Sequence, residues 1–248
     1  MKKMNLFVLL LLGMVFCLSA CGGVNPAQDG DEIKLILGAY TTPREAYGEI
    51  IPLFQQYWLD QTGQRVVFEE SYLGSGAQSR AVVDGFEADI VALSLEADVN
   101  RIQEAGLITH DWKAGEYKGI ITTSIVSFAV REGNPKGIQD WVDLTQPSLE
   151  ILTPNPSTSG GAMWNILALY GAALRGQVEG VPGDDPQAAG DFLREVLANV
   201  TVMDKAARDS ILNFEKGIGD LAITYENEIL VGQNTGQPYE RIIPSSII

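Results

Sequence analysis

Apolar residues recur along this chain in alternating short runs and helical spacings, which predicts an α/β fold. Ile33 to Ala39 is the first short strand. Thr42-Pro43-Arg44-Glu45 then carries a helix start, with Thr42 as N-cap, Pro43 at the first helical position and Glu45 three residues on. That helix is expected to reach Asp60 through Tyr47, Ile50, Ile51, Phe54 and Trp58. Arg65 to Glu69 and Asp89 to Leu93 read as strands, and Ala77 to Phe86 and Ala97 to Ala105 as helices. Ile120 to Arg131, almost continuously apolar or β-branched, predicts one long buried strand that leaves one domain and enters another. In the second half, Gly137 to Leu144 predicts a short helix and Leu149 to Thr153 a buried strand. Met163, Trp164, Ile166, Leu167, Leu169, Tyr170 and Leu174 then recur at the spacing of one long helix. Gly176 to Gln187 is a loop, Ala188 to Asn199 a helix, Val200 to Met203 a strand and Ser210 to Lys216 a short helix. Leu221 to Tyr225 is a further strand, followed by Asn227 to Val231, and Arg241 to Pro244 predicts a return to the first domain.

The turns of this pattern carry its chemistry. Ser157-Thr158-Ser159-Gly160-Gly161-Ala162 sits between a strand and a long helix. A helix start exposes unpaired backbone N–H groups at the positive end of the helix dipole, and glycine lets an anion approach them without meeting a Cβ. Tyr40-Thr41-Thr42 and Gly74-Ser75-Gly76 occupy equivalent strand-to-helix turns. In open α/β sheets ligands bind beyond the carboxyl ends of the strands, so three such turns can enclose one small anion. Each turn alone also fits an ordinary helix cap.

The N-terminus sets the compartment. Met1-Lys2-Lys3 is a charged start, Leu6 to Leu12 with Val15 and Phe16 an apolar stretch, and Leu18-Ser19-Ala20-Cys21 a small-residue cleavage site ending on cysteine. That ending looks like a bacterial lipoprotein signal, with Cys21 as the lipidated first residue. Gly22 to Asp31 then reads as a flexible tether. With Cys17 removed and Cys21 lipidated, no cysteine remains for a disulfide, a catalytic thiol or zinc. His110, the one histidine, lies beside an expected turn and reads as a surface residue. The formal charge of −15 describes an acidic surface poorly suited to nucleic acid or anionic membranes. Metal spacings, Walker and dinucleotide fingerprints and a nucleophile elbow are missing, so hydrolytic chemistry has no support and no cofactor is expected.

The residues that go furthest are Tyr40 with Arg44-Glu45, Ser75-Gly76 with Gln78, Arg80 to Val91, Gly133 to Ile138 with Asp140-Trp141, Thr153 to Pro156, Thr158 to Ala162 with Trp164-Asn165, Gly217 to Asp220, and Glu226-Asn227-Glu228. Through them the chain resembles the bacterial sulfate/thiosulfate-binding proteins, the receptors of sulfate ABC importers. The resemblance implies a two-lobed, type II periplasmic-binding-protein-like α/β fold. It divides the chain into signal 1–20, tether 21–31, a first lobe 32–123, a second lobe 124–240, and a return strand 241–248 toward the first lobe. It implies a dehydrated sulfate or thiosulfate held by the Thr41 and Ser75 amides, the Ser159 hydroxyl, the Gly160 and Gly161 amides, an amide of the Arg208-Asp209-Ser210 turn, taken at Ser210, and Tyr225. Membrane permease subunits would be the partners of a lipid-anchored, monomeric receptor with no catalytic role.

This chain departs from the family pattern in four places. Thr41 stands where an aspartate is usual, Met163 at an arginine place, Tyr225 at a tryptophan place, and the stretch Ala207 to Phe214 is one residue short. Molybdate and phosphate are the alternative anions, with Asp209 and Glu226 as acceptors for a protonated one. The resemblance also implies a C-terminally truncated form lacking about a quarter of the usual length. A non-binding remnant and a secreted sulfatase or phosphatase are the rival readings. Trp58, Trp112, Trp141 and Trp164 are expected as packing anchors, and Arg44 as the partner of a neighbouring acid.

Overall fold

The structure, a computed structural model, describes residues 32–248. The expected signal peptide, the lipidation at Cys21 and the tether lie outside the described residues. The strands are β1 (Ile33–Tyr40), β2 (Val66–Leu73), β3 (Ile90–Ala92), β4 (Val126–Val130), β5 (Ile151–Pro154), β6 (Val200–Asp204), β7 (Leu221–Tyr225) and β8 (Glu240–Ile242). The helices are α1 (Arg44–Thr62), α2 (Ser75–Val83), α3 (Glu96–Glu104), α4 (Gly160–Leu174), α5 (Pro186–Ala198), α6 (Ala207–Glu215) and α7 (Glu226–Asn234), with one 3-10 turn at Trp141–Thr145.

The chain divides into two compact units. The described part of the first consists of the residues up to Lys34 and Phe54–Val67. There the Ile33 N–H donates to the Arg65 carbonyl at 2.8 Å and Gln55 Nε2 to the Val66 carbonyl at 2.9 Å. Phe54 and Trp58 face each other with ring centroids 5.9 Å apart.

The second unit, Leu35–Leu53 with Phe68–Ile248, holds the five-stranded sheet β6-β5-β7-β4-β8 and most of the three-stranded sheet β2-β1-β3. β5 runs parallel to β6 and β7, whereas β4 is antiparallel to both β7 and β8. The main core lies on one face of the larger sheet, where Phe128, Ile151, Leu221 and Ile223 pack under α4 and α5. Trp141 meets Phe128 edge-on at 4.9 Å and donates its indole N–H to the Ser246 carbonyl at 2.8 Å. Burying an aromatic of this size contributes about 1.5–3 kcal/mol, so Trp141 anchors as expected.

Several expectations are corrected. The long strand from Ile120 shrinks to β4. Ile120 and Ile121 are exposed, and β4 is exactly as long as its five-residue register with β7. β-Branching favours extended backbone, but a strand needs a neighbour to accept its hydrogen bonds. The return strand pairs with β4 instead of the first sheet, Phe128 lying opposite Ile242. On α4, Met163 and Leu167 are exposed, while Ala162, Asn165, Ala168, Ala172 and Ala173 are buried. Small side chains let this helix approach the sheet, and the large ones splay to its flanks. Helix α6 begins at Ala207, three residues before Ser210.

Arg131 ties β4 to the end of α6. Its guanidinium donates to the Phe214 carbonyl at 2.7 Å, the Ile218 carbonyl at 2.7 Å and the Gly219 carbonyl at 2.6 and 3.0 Å, and stacks on the Phe214 ring at 3.8 Å. A planar fork satisfies terminal helix carbonyls in a way that an ammonium cannot. Arg131→Lys is expected to lower the unfolding free energy by about 1–3 kcal/mol, read from urea denaturation.

Candidate functional site

In the second unit several helix starts meet at one buried cluster. Helix α4 begins with Ser159 as N-cap, and its Oγ accepts from the Ala162 N–H at 3.4 Å. The Met163 N–H donates to the Ser159 carbonyl, which leaves the Gly160 and Gly161 amides with no acceptor among the described residues. A Cβ on Gly160 would collide with Ser94 Oγ and stand 3.0 Å from the Ser75 Cβ. One on Gly161 would stand 3.1 Å from both the Ala207 Cβ and a Tyr225 ring carbon. Close approach therefore calls for glycine at Gly160, and at Gly161 a Cβ would be tight.

Helix α2 contributes its first turn. Gly74 caps it, and the Ala77 N–H donates to the Thr158 carbonyl at 3.1 Å. A Cβ on Gly74 would lie 2.5 Å from the Thr158 oxygen and 2.8 Å from the Lys205 oxygen. The Ser75 hydroxyl donates to Asp98 Oδ2 at 2.6 Å and accepts from the Ser94 N–H at 3.0 Å. Trp164 Nε1 reaches from α4 to the Ser94 carbonyl at 3.1 Å, and Arg80 Nη2 to the Ser157 carbonyl at 2.8 Å. Trp164 is thus a bridge as well as an anchor.

Ser75, Ser159, Gly160, Gly161 and Tyr225 are brought together as proposed from sequence. Thr41 lies between Tyr40, which acts electrostatically on Tyr225, and Thr42, which acts on Glu228. Its two chain neighbours thus act on residues of the cluster. Ser210 does not belong there. Its amide donates to the Ala206 carbonyl at 3.3 Å and its hydroxyl to Asp204 Oδ2 at 2.9 Å, because α6 starts upstream of it. The unpaired amides of that helix start are those of Ala207 and Arg208, and Ala207 is the residue that faces Gly161.

The carboxylates also differ from expectation. Asp209 is exposed and Glu226 is held by Arg241 at 2.6 Å. Asp98 and Glu228 are the buried ones. Arg101 reaches Asp98 at 2.8 Å, and Arg208 reaches both Glu228 at 2.8 Å and Glu45 at 2.7 Å. Burial pushes the Glu228 carboxyl up, against the pull of Arg208 and Thr42. Thr42 Oγ1 and Glu228 Oε1 nevertheless fall outside hydrogen-bond geometry, so we regard their contact as electrostatic. Arg44 lies over the Tyr72 ring at 4.6 Å.

The buried hydroxyls without a hydrogen-bond partner among the described residues are those of Thr42, Ser94, Ser127, Thr224 and Tyr225, and of these Ser94 and Tyr225 lie against the two glycines. They lie close enough for the Ser94 side chain to favour the phenolate, yet burial dominates and holds the Tyr225 phenol protonated; burial likewise pushes Tyr40 up to about 12. An unsatisfied buried hydroxyl costs about 1–3 kcal/mol. Sequence reasoning missed Ser94 because its turn carries no glycine; its position between a strand and α3 was the available signal. Among the described residues no group of three or more His, Cys, Asp or Glu could hold a metal ion.

Two α/β sheets with helix starts gathered at one buried polar cluster is the periplasmic-binding-protein architecture. The periplasmic binding protein P5PA superposes with a TM-score of 0.61 at 21% identity, over 87% of this chain and 72% of that one. More particularly, the chain belongs to the bacterial extracellular solute-binding protein family, matched over residues 35–242. It is similar to the sulfate-binding protein of Synechococcus elongatus, 43% identical over 93% of this chain and 65% of that protein. It is also similar to the solved sulfate-binding protein SubI of Mycobacterium tuberculosis, 38% identical with a TM-score of 0.78, over 87% of this chain and 72% of that one. The chain thus spans about two thirds of the length of the curated relative, a share of 65%.

Two outcomes follow. Gly160→Ala is expected to destabilise the protein by about 1–3 kcal/mol, seen as a lower urea midpoint. Because the Glu228 pKa is raised in the folded state, the native protein binds more protons there than the unfolded chain. Its contribution to stability is therefore present at acid pH and lost as pH rises through the raised value. Glu228→Gln should gain stability relative to the parent as pH rises from 4.5 to neutrality; a constant difference would refute the shift.

Proposed function

We propose that this chain is the substrate-binding component of a sulfate importer, capturing a tetrahedral oxyanion between a first lobe, 32–123, and a second lobe, 124–240. The observation that carries this reading is the gathering of unpaired amides at three helix starts around Gly160, where no Cβ fits. The donors are the amides of Ser75, Gly160, Gly161 and Ala207, the hydroxyls of Ser159 and Tyr225, and the Thr41 amide. Hydrogen bonds to a charged group contribute about 1.5–3 kcal/mol each. Half a dozen preorganised donors can therefore offset much of the desolvation of a buried dianion.

The donor set selects by proton count. Sulfate has no proton to place at neutral pH, whereas hydrogen phosphate carries one that needs an acceptor. Asp98 is already occupied by Ser75 and Arg101, and Glu228 is paired with Arg208 through Oε2. Binding, with lobe closure as the switch, is the activity, and the chain is not an enzyme. The receptor acts outside the cytoplasm as a monomer, anchored through a lipid on Cys21, and delivers its anion to membrane permease subunits.

Calorimetric titration of the purified chain with sulfate, thiosulfate, molybdate and phosphate tests the reading. The expected result is one-to-one binding of sulfate, retained in thiosulfate, weak for phosphate and abolished by Gly160→Asp. A folded sample that releases no heat with any of the four anions would overturn it.

A further inference from the structure

We propose that Ser94 is a specificity-determining ligand residue, whose hydroxyl pairs with that of Tyr225 to grip one atom of the bound oxyanion. The inference rests on the oxyanion-receptor reading above and extends it to a residue outside the glycine-marked turns.

Ser94 is positioned from both sides of the cluster. Its N–H donates to Ser75 Oγ at 3.0 Å and its carbonyl accepts from Trp164 Nε1 at 3.1 Å. Ser75 is fixed in turn by its 2.6 Å bond to Asp98 Oδ2. The backbone of Ser94 is thereby held against α2 and α4 together, and only its side chain is uncommitted. That side chain points at the bare Cα of Gly160, since a Cβ there would collide with its oxygen. The oxygen is inaccessible to solvent and has no hydrogen-bond partner.

Tyr225 supplies the second, independent observation. The residue is 8% exposed, its hydroxyl is likewise unpartnered, and its ring lies against Gly161. The Ser94 side chain acts on the Tyr225 oxygen, so the two hydroxyls are neighbours. Buried hydroxyls are nearly always paired in native proteins. Ser94 lies against Gly160 and Tyr225 against Gly161, whose amides are both unpaired, so the two hydroxyls and two amides can converge on one shared acceptor. The group that fits is an oxygen of a fully ionised tetrahedral anion, because every group facing it can donate.

The pair also separates sulfate from thiosulfate. An oxygen accepts strongly from two O–H donors, whereas a terminal sulfur is a weak acceptor. In thiosulfate the sulfur can occupy this edge, where little is lost with it, while sulfate must place an oxygen there.

The test compares Ser94→Ala, Ser94→Cys and Tyr225→Phe with the parent by calorimetric titration of sulfate and thiosulfate, with urea midpoints and circular dichroism as folding controls. Ser94→Cys keeps the side-chain shape with a somewhat larger atom and only a weak donor. Ser94→Ala and Ser94→Cys are each expected to weaken sulfate at least tenfold and thiosulfate clearly less. In the double variant Ser94→Ala/Tyr225→Phe the losses should be less than multiplicative. Sulfate binding within twofold of the parent in folded Ser94→Ala and Ser94→Cys would overturn the inference and leave the receptor reading standing. Equal weakening of both anions would reduce Ser94 to a structural role and overturn it as well. A folded parent that binds neither anion would overturn both.

Discussion

Everything at the candidate site depends on how closely the start of α4 is approached. Ser94, Ser75, Ala207 and Tyr225 crowd the two glycine α-carbons, a Cβ colliding with Ser94 at Gly160 and being tight at Gly161. The same crowding strips water from the Gly160 and Gly161 amides, which raises their electrostatic strength. Steric exclusion and anion attraction thus share one cause. Gly74 repeats the arrangement from the other side, pressed against the Thr158 and Lys205 carbonyls, and this contact brings α2 to the α4 turn.

The charges around the cluster cancel, which leaves the dipoles in command. Arg208 is matched by Glu228 and Glu45, Arg101 by Asp98, and Arg241 by Glu226. Arg80 is directed to a backbone carbonyl. These pairs bind elements together and add little field of their own. Amides at helix starts cannot be titrated and need no reorganisation, so an acidic chain can still hold an anion at a fixed place. Glu228 is the strained member, its carboxyl pushed up by burial against the pull of Arg208.

The fold was legible where local pattern and packing agree. β1, β7, α5 and the start of α4 fell where the apolar spacing put them, α5 because it has one buried face set by its own residues and β7 because it is a mostly apolar run wholly buried inside the sheet. The reading failed where partners decide. Ile120 to Ile125 has the composition of a strand but no strand beside it, and Arg241 to Pro244 joined the edge of the larger sheet through β4. Of the large residues of α4 read as its core face, Leu169 is buried and Trp164, Tyr170 and Leu174 pack against the core, whereas Met163 and Leu167 are exposed and alanines fill the closest contacts. At the site, Ser210 was placed from a resemblance that ran one residue short, and the true helix start moved the free amides to Ala207 and Arg208.

What the sequence determined by itself was the class of fold and the kind of chemistry. Strand–glycine–helix turns expose amides wherever they occur, and that consequence is local. Only the tertiary structure decided which donors stay unpaired. Ser75 and Ser210 are both buried serines whose hydroxyls are closed by an aspartate, yet the Ser75 amide opens α2 toward the cluster while the Ser210 amide is bonded within α6. Ser94 looks like an ordinary turn residue until Gly160, Trp164 and Tyr225 arrive around it. A free donor is defined by what its neighbours leave unsatisfied, and those neighbours come from far along the chain.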